Sequence, residues 1–319
     1  MAEVTDGGPG GWSGVARTAQ RYQGVLSLVL LLVFAYAFEP LFFTPNNLRN
    51  VLNQVAIPGV LAVGMTFVIL TGGIDLSAGS LLGLLNCIAA TWMRDGMSLE
   101  ATGAYVLVLG LGIGALSGLT IGVTRMQPFV VTLAAMVSLR GIAYVYTDSK
   151  NISGIGDGLA PLQQTQAALP VPAWILITVT GLAALILART VFGRNVYAIG
   201  GNEEASRLAG VAVTRTRMGA YAINGFCVAV AALLFTARGN NGDPAAGLGY
   251  ELDAIAAAVV GGCALLGGVG NALGTFVGAL FISSLTVLLI LQNVNDKVAM
   301  GWKGLIILVA VYLQNLGRK

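Results

Sequence analysis

The sequence predicts an all-α polytopic membrane protein, on three observations. Of its 319 residues, 56% are hydrophobic and only 10% are charged, whereas soluble domains average about 25% charged residues. Apolar runs long enough to cross a bilayer recur along nearly the whole chain. The 44 glycines exceed what a soluble helical protein uses, while membrane helices employ glycine to approach one another closely. Mean hydropathy is +0.82.

A crossing helix needs about 20 apolar residues. Ten runs qualify, at 24–42, 51–71, 76–93, 103–123, 127–147, 171–189, 218–237, 252–267, 272–291 and 299–316. The third and eighth are short, and each borders a Gly-Gly pair. Orientation follows from Lys and Arg in the short connections. With the N-terminus in the cytoplasm, the inner segments hold Arg17, Arg21, Arg125, Arg189, Arg194, Arg207, Arg215, Arg217, Arg318 and Lys319. The outer segments hold only Arg49, Arg94, Lys150, Arg238 and Lys297. Both termini are therefore expected inside. Residues 1–23 read as a cytoplasmic tail: the start is polar and Gly-rich, without the short apolar core and cleavage site of a signal peptide. A single permeation domain, 1–319, fills the chain. Its two longest connections are an outer one at 148–172 and a charged inner one at 190–217.

Composition also excludes functions. Net charge is +3 and scattered, so nucleic acid is not an expected partner. There is no histidine, which removes the commonest general base and metal ligand. Cys87, Cys227 and Cys263 lie in apolar runs without metal spacing and read as small buried hydrophobes. No catalytic residue and no metal site is expected. The chain lacks a G-x-x-x-x-G-K-[ST] loop and so cannot cradle ATP phosphates by that route.

Two segments echo each other. "LTGGIDLSAGSLLGLL" and "VVGGCALLGGVGNALGTFVGAL" each join an apolar run, a Gly pair (Gly72-Gly73 and Gly261-Gly262), a short break and another apolar run. This predicts an inverted repeat with a transport pathway at the repeat interface. In the first segment glycines end a helix, and Asp75 and Ser77 stand where the next begins. Broken backbone at membrane depth is tolerated only when buried in protein or lining a wet cavity. Two roles are open to Asp75. It caps a helix start near the inner surface, or it lies deeper and lines or gates the pathway together with Gly72, Gly73 and Ser77.

The inner connection reads "FGRNVYAIGGNEEASRLAGVAVTRTR". Gly200-Gly201-Asn202 predicts a turn, with Asn202 capping a short helix. Glu203 and Glu204 then occupy its first turn, where the helix dipole favours anions. Arg207 can pair with either, and Ala209-Gly210 end the helix. So short a helix is marginal alone in water and needs something to pack against.

With "GGIDLSAGS", "QPFVVTLAAMVSLRGIAYVYT", "GRNVYAIGGNEEASRLAGV" and "GYELDAIAAAVVGGCALLGGVGNALGT", the chain resembles the membrane subunits of bacterial ATP-binding-cassette importers for monosaccharides, the ribose, xylose, arabinose and galactose permeases, from about residue 51 to 315. The resemblance implies that Glu203, Glu204, Ala205, Ser206, Arg207 and Gly210 form the coupling helix that meets the ATPase, with Ser206 replacing the second Ala of the E-A-A-x-x-x-G pattern. It implies a homodimer, or a heterodimer with a related permease. It further implies an ATPase subunit carrying ATP and Mg²⁺, often with two fused nucleotide-binding domains, and a periplasmic sugar-binding protein. Transport would proceed by alternating access in the bacterial inner membrane.

Pathway candidates are few. Asn53, Gln54, Asn86, Asn224, Ser283, Ser284 and Thr286 are uncharged polar groups in or beside the apolar runs, each equally readable as a hydrogen bond between helices. Phe67 or Phe129 offers an aromatic face to a sugar. Arg140, near the outer end of its run, is expected to snorkel outward. Asp243, Glu251 and Asp253 flank an outer loop and are candidates for docking the binding protein. Two other readings stay open: a secondary, ion-coupled transporter, and the same importer class carrying a nucleoside or branched-chain amino acid.

Overall fold

The computed structural model describes residues 23–295 together with 298, 301, 302, 304 and 305. The expected tail therefore lies outside the described residues, and so does nearly all of the tenth run. Among the described residues the regular structure is helical apart from one two-residue strand pair, β1 (Thr165–Gln166) and β2 (Leu169–Pro170), in the 148–172 connection, and an isolated bridge between Ile152 and Gly242.

Among the described residues six helices are long and apolar enough to cross a membrane. They are α2 (Pro45–Leu70), α4 (Leu99–Thr124), α5 (Pro128–Tyr146), α6 (Val171–Arg189), α9 (Val213–Gly239) and α11 (Ala272–Leu291). Two further apolar helices, α1 (Gln23–Phe38) and α3 (Ala78–Arg94), have 16 and 17 residues. The eighth run departs from expectation. Its helix, α10, covers only Tyr250–Val260, 11 residues. At 1.5 Å per residue that is about 16 Å, roughly half the apolar thickness of a bilayer. Residues 261–271 continue as irregular backbone, because Gly262, Gly267, Gly268 and Gly270 all adopt positive φ.

The inner connection also differs. It holds two helices, α7 (Val191–Gly201) and α8 (Glu203–Leu208). Gly200 and Gly201 close α7 and are not a turn, since Thr190 starts a helix there by accepting from Gly193 N through its hydroxyl at 3.0 Å. α9 begins at Val213, earlier than the run 218–237 indicated, so Arg215 and Arg217 lie within it.

α2 and α9 are the central pair: each is buried along most of its length. α4 lies against α9 along a stripe of Gly110, Gly114, Gly118 and Gly122, one small residue every four. A Cβ on Gly114 would stand 2.2 Å from Tyr221 O, so only glycine lets the two backbones meet. The outer faces carry exposed aliphatic side chains such as Leu30, Val33, Val108, Leu116, Val137 and Val145. Such a surface is stable in hydrocarbon and not in water.

Candidate functional site

α8 is built as its local sequence indicates. Asn202 Oδ1 accepts from Ala205 N at 2.9 Å, and Gly210 ends the element at φ +83°. Ser206 is buried and donates to Asn202 O, whereas Glu204, Ala205 and Leu208 face outward, Leu208 being 82% exposed. Of the two acids only Glu203 is paired with Arg207, Nη2 to Oε1 at 2.8 Å. Its other oxygen accepts from Arg217 Nη2, also at 2.8 Å. Partial burial raises the carboxyl pKa, but the hydrogen bonds and charges of Arg217 and Arg207 outweigh it and hold Glu203 below the usual carboxylate range. The six-residue helix is thus fixed to the foot of α9.

From that foot a polar line climbs α9. Arg217, Tyr221 and Asn224 recur at three- and four-residue intervals and share one helical face. Tyr221 is fully buried, and its hydroxyl, without a hydrogen-bond partner among the described residues, lies against Gly73. Asn224 Nδ2 donates to Asp75 Oδ2 at 2.8 Å.

Asp75 is not a cap near a surface. α3 starts at Ala78, and Asp75 Oδ1 accepts from Ser77 N at 2.9 Å and Ser77 Oγ at 2.5 Å, a local turn that leads into the helix. The carboxylate is 3% exposed and faces Asn224 near the middle of the 27-residue α9. The segment 71–77 therefore turns back from the end of α2 into the body of the bundle. Thr132 of α5 braces it, donating to Ile74 O at 3.1 Å.

The two Gly-rich breaks touch. Gly268 N donates to Leu70 O at 3.0 Å, and a Cβ on Gly267 would stand 2.8 Å from Gly72 N. Gly200, at the end of α7, closes the same junction: a Cβ there would stand 1.9 Å from Leu70 O and 2.3 Å from Gly268 N. Gly261 lies instead against Gly274 of α11, and Gly262 is open, with nothing near its Cβ position.

At the opposite end of the bundle, residues 240–249 descend along α3. Asn86 Nδ2 donates to Asn241 O and to Thr236 Oγ1, while Asn86 Oδ1 accepts from Asp243 N at 2.7 Å. One turn deeper, Arg140 Nη1 donates to Pro244 O at 2.5 Å and to Ala246 O at 2.8 Å. Arg140 does not snorkel; it clamps this segment against Gly83. Deeper still, Glu251 Oε2 and Gly247 O lie against Gly79. Asp243, beside Asn86, and Glu251, beside Gly79, are thus separated by about 10 Å along α3, and the three acids do not share one patch. Phe67 is buried and stacks on Phe192, centroids 6.4 Å apart, whereas Phe129 is 51% exposed. The two aromatic rings are not brought together.

With this geometry in view, residues 47–312 match the family described as branched-chain amino acid transport system, permease component. The chain belongs to that permease family. The ribose import permease protein RbsC of Haemophilus influenzae is 40% identical to the permease over 311 residues, covering 96% of each chain. RbsC of Escherichia coli K12 is 39% identical over 92% of the permease and 93% of its own length. The xylose transport system permease protein XylH of Escherichia coli K12 is 33% identical, over 97% and 95% respectively. No solved structure matches the permease. It is an integral membrane protein whose work is translocation.

Residues that the sequence did not single out for the site include Arg217, Tyr221 and Gly200. Arg217 was visible only as one more inner basic residue. The available signal was its spacing of four and seven residues to Tyr221 and Asn224 inside an otherwise apolar helix.

Proposed function

We propose that the chain is the translocation subunit of an ATP-driven importer that carries a monosaccharide inward by alternating access. What carries the reading is the α8 surface: a capped helix with Glu204, Ala205 and Leu208 open, tied through Glu203 and Arg217 to α9, in a chain 40% identical to a ribose import permease. Glu203, Glu204, Ala205, Ser206, Arg207 and Gly210 receive a partner ATPase, which binds the ATP and Mg²⁺ that this chain does not. The chain acts as a homodimer or with a related permease, in the bacterial inner membrane, with about ten crossings, both termini cytoplasmic and two inverted halves related through the paired Gly breaks. Residues 1–319 form one permease domain, with the tail at 1–23 and the coupling connection at 190–217. Gly72, Gly73, Asp75 and Ser77, with Gly261 and Gly262, form the hinged part of the pathway. Asn86 and Arg140 hold its far wall, and Asp243 is the acid best placed to meet a periplasmic sugar-binding protein.

The decisive experiment reconstitutes the chain in liposomes with its ATPase and binding protein. Uptake of radiolabelled D-ribose or D-xylose is expected to require both proteins and ATP and to survive a protonophore. Flux driven by an ion gradient through the chain alone would refute the reading, and ATP-driven uptake of leucine but no sugar would replace its solute.

A further inference from the structure

A cavity of about 230 Å³ opens at the end of the bundle opposite α8. Asn50, Asn53 and Gln54 line it from α2, at intervals of three and four residues that place them on one helical face. Gln163, from the 3-10 turn Ala160–Gln163, and Arg238, from the last turn of α9, complete its polar wall. Ile57 and Leu234 supply apolar lining.

Among the described residues, the fold leaves most of these polar groups unused. Asn50, Asn53, Gln54 and Arg238 make no side-chain hydrogen bond to another described residue. Gln163 donates its amide nitrogen to Ala237 O and keeps its oxygen as an acceptor. A primary carboxamide both donates and accepts, as each hydroxyl of a polyol does. Among the described residues no carboxylate lines the cavity, so a metal cation or the ammonium group of an amino acid finds no counter-charge from them. The volume lies below the roughly 300 Å³ at which drug-sized sites begin, and suits a molecule of about ten heavy atoms better than a nucleoside.

We propose that this cavity is a receiving subsite for a neutral monosaccharide, the first station the solute meets in the permease. The inference rests on the sugar-import reading and adds a site to it. Asn53 and Gln54 bind hydroxyls from the deeper side, Asn50 and Arg238 from the mouth.

Saturation-transfer NMR on the full chain in lipid nanodiscs tests it, with D-ribose and D-xylose as probes. Saturation is expected to reach the sugar protons, and the apparent affinity is expected to fall about tenfold in Asn53→Leu/Gln54→Leu. Asn50→Leu, at an exposed position, gives a smaller loss in the same direction and serves if the double variant does not fold. Undiminished transfer in every variant that folds would overturn the subsite. Tighter binding of D-glucuronate than of D-glucose, or of L-leucine than of D-ribose, would overturn its neutral-sugar chemistry. Absent transfer beside intact ATP-driven sugar uptake would overturn the subsite alone, whereas absent sugar uptake by the assembled transporter strikes at the function itself.

Discussion

Arg217 Nη2 stands 2.8 Å from Glu203 Oε2 and joins a six-residue surface helix to the 27-residue helix α9. Arg217 is 10% exposed at its side chain and Glu203 39%. The pair is thus anchored on the helix side and open to solvent on the other. Solvent screening limits what it adds to stability, to about 1 kcal/mol or less, so its main consequence is mechanical. If α8 is the coupling helix proposed above, its displacement is expected to move the foot of α9 through the bond from Arg217 to Glu203, while Arg207 holds the same carboxylate from within α8.

Breaking that bridge is expected to uncouple transport before it unfolds the protein. Glu203→Gln and Arg217→Gln should each abolish most ATP-driven uptake while membrane insertion and the melting temperature stay close to wild type. A double-mutant cycle on thermal stability should return a coupling energy of about 0.5–1 kcal/mol. Because the folded carboxyl titrates below its ordinary value, its contribution is complete above about pH 4.3. It is lost as pH falls through the depressed folded value. Wild type should therefore lose stability relative to Glu203→Gln only at the acid extreme. A difference growing between pH 5 and 8 would contradict the assignment.

Asp75 tests the middle of the molecule. Its carboxylate accepts from Ser77 N, Ser77 Oγ and Asn224 Nδ2 while almost fully buried. Asp75→Ala leaves these donors without partners, at about 1–3 kcal/mol for each buried group. The expected result is a melting temperature lower by several degrees and reduced yield, with the order of solute preference retained. A well-folded Asp75→Ala protein that exchanges one sugar for another would show that the carboxylate meets solute directly.

The junction of the two Gly breaks makes a sharper comparison between neighbours. Gly200 has no room for a methyl group beside Leu70 O and Gly268 N, yet nothing lies within 4 Å of a Cβ on Gly201. Gly200→Ala must push α7 away from both breaks, and is expected to lose uptake and to raise ATP hydrolysis that no longer moves solute. Gly201→Ala should behave as wild type. Proteoliposome uptake and phosphate release, measured side by side, decide it. Equal behaviour of the two variants would mean that α7 does not press on the breaks in the working transporter.

Local signals account for what was legible in the sequence. The short inner helix was readable to its ends because a cap, a first-turn acid pair and a Gly stop all act within about two turns. The break at 72–77 was readable because glycine and a polar pair interrupt an apolar run. The depth of Asp75 stays open in the sequence because its deciding partner, Asn224, is 149 residues away. From the sequence Arg140 reads as a snorkelling residue because the carbonyls that hold it lie 104 and 106 residues further on. The half-length α10 was hidden by an apolar run whose composition continues past Val260, while positive-φ glycines end the helix itself. Hydropathy reports what the bilayer accepts and says little about where a glycine-rich chain stays helical.

Arg140 also yields the last test. One guanidinium nitrogen bridges Pro244 O and Ala246 O and holds 240–249 against the small residues Gly83 and Gly79 of α3. Lysine keeps the charge, but it replaces the planar fork with a point donor on a flexible stem. Leucine leaves both carbonyls without their charged donor. If the descending segment forms a wall that must hold until solute passes, Arg140→Leu should loosen it. A cysteine introduced at position 245 would then react faster with a membrane-impermeant maleimide, with Arg140→Lys intermediate. Melting temperature is expected to fall in the same order. Unchanged labelling in Arg140→Leu would show that the Asn86 contacts alone retain the segment, and that the arginine serves some other purpose in the bundle.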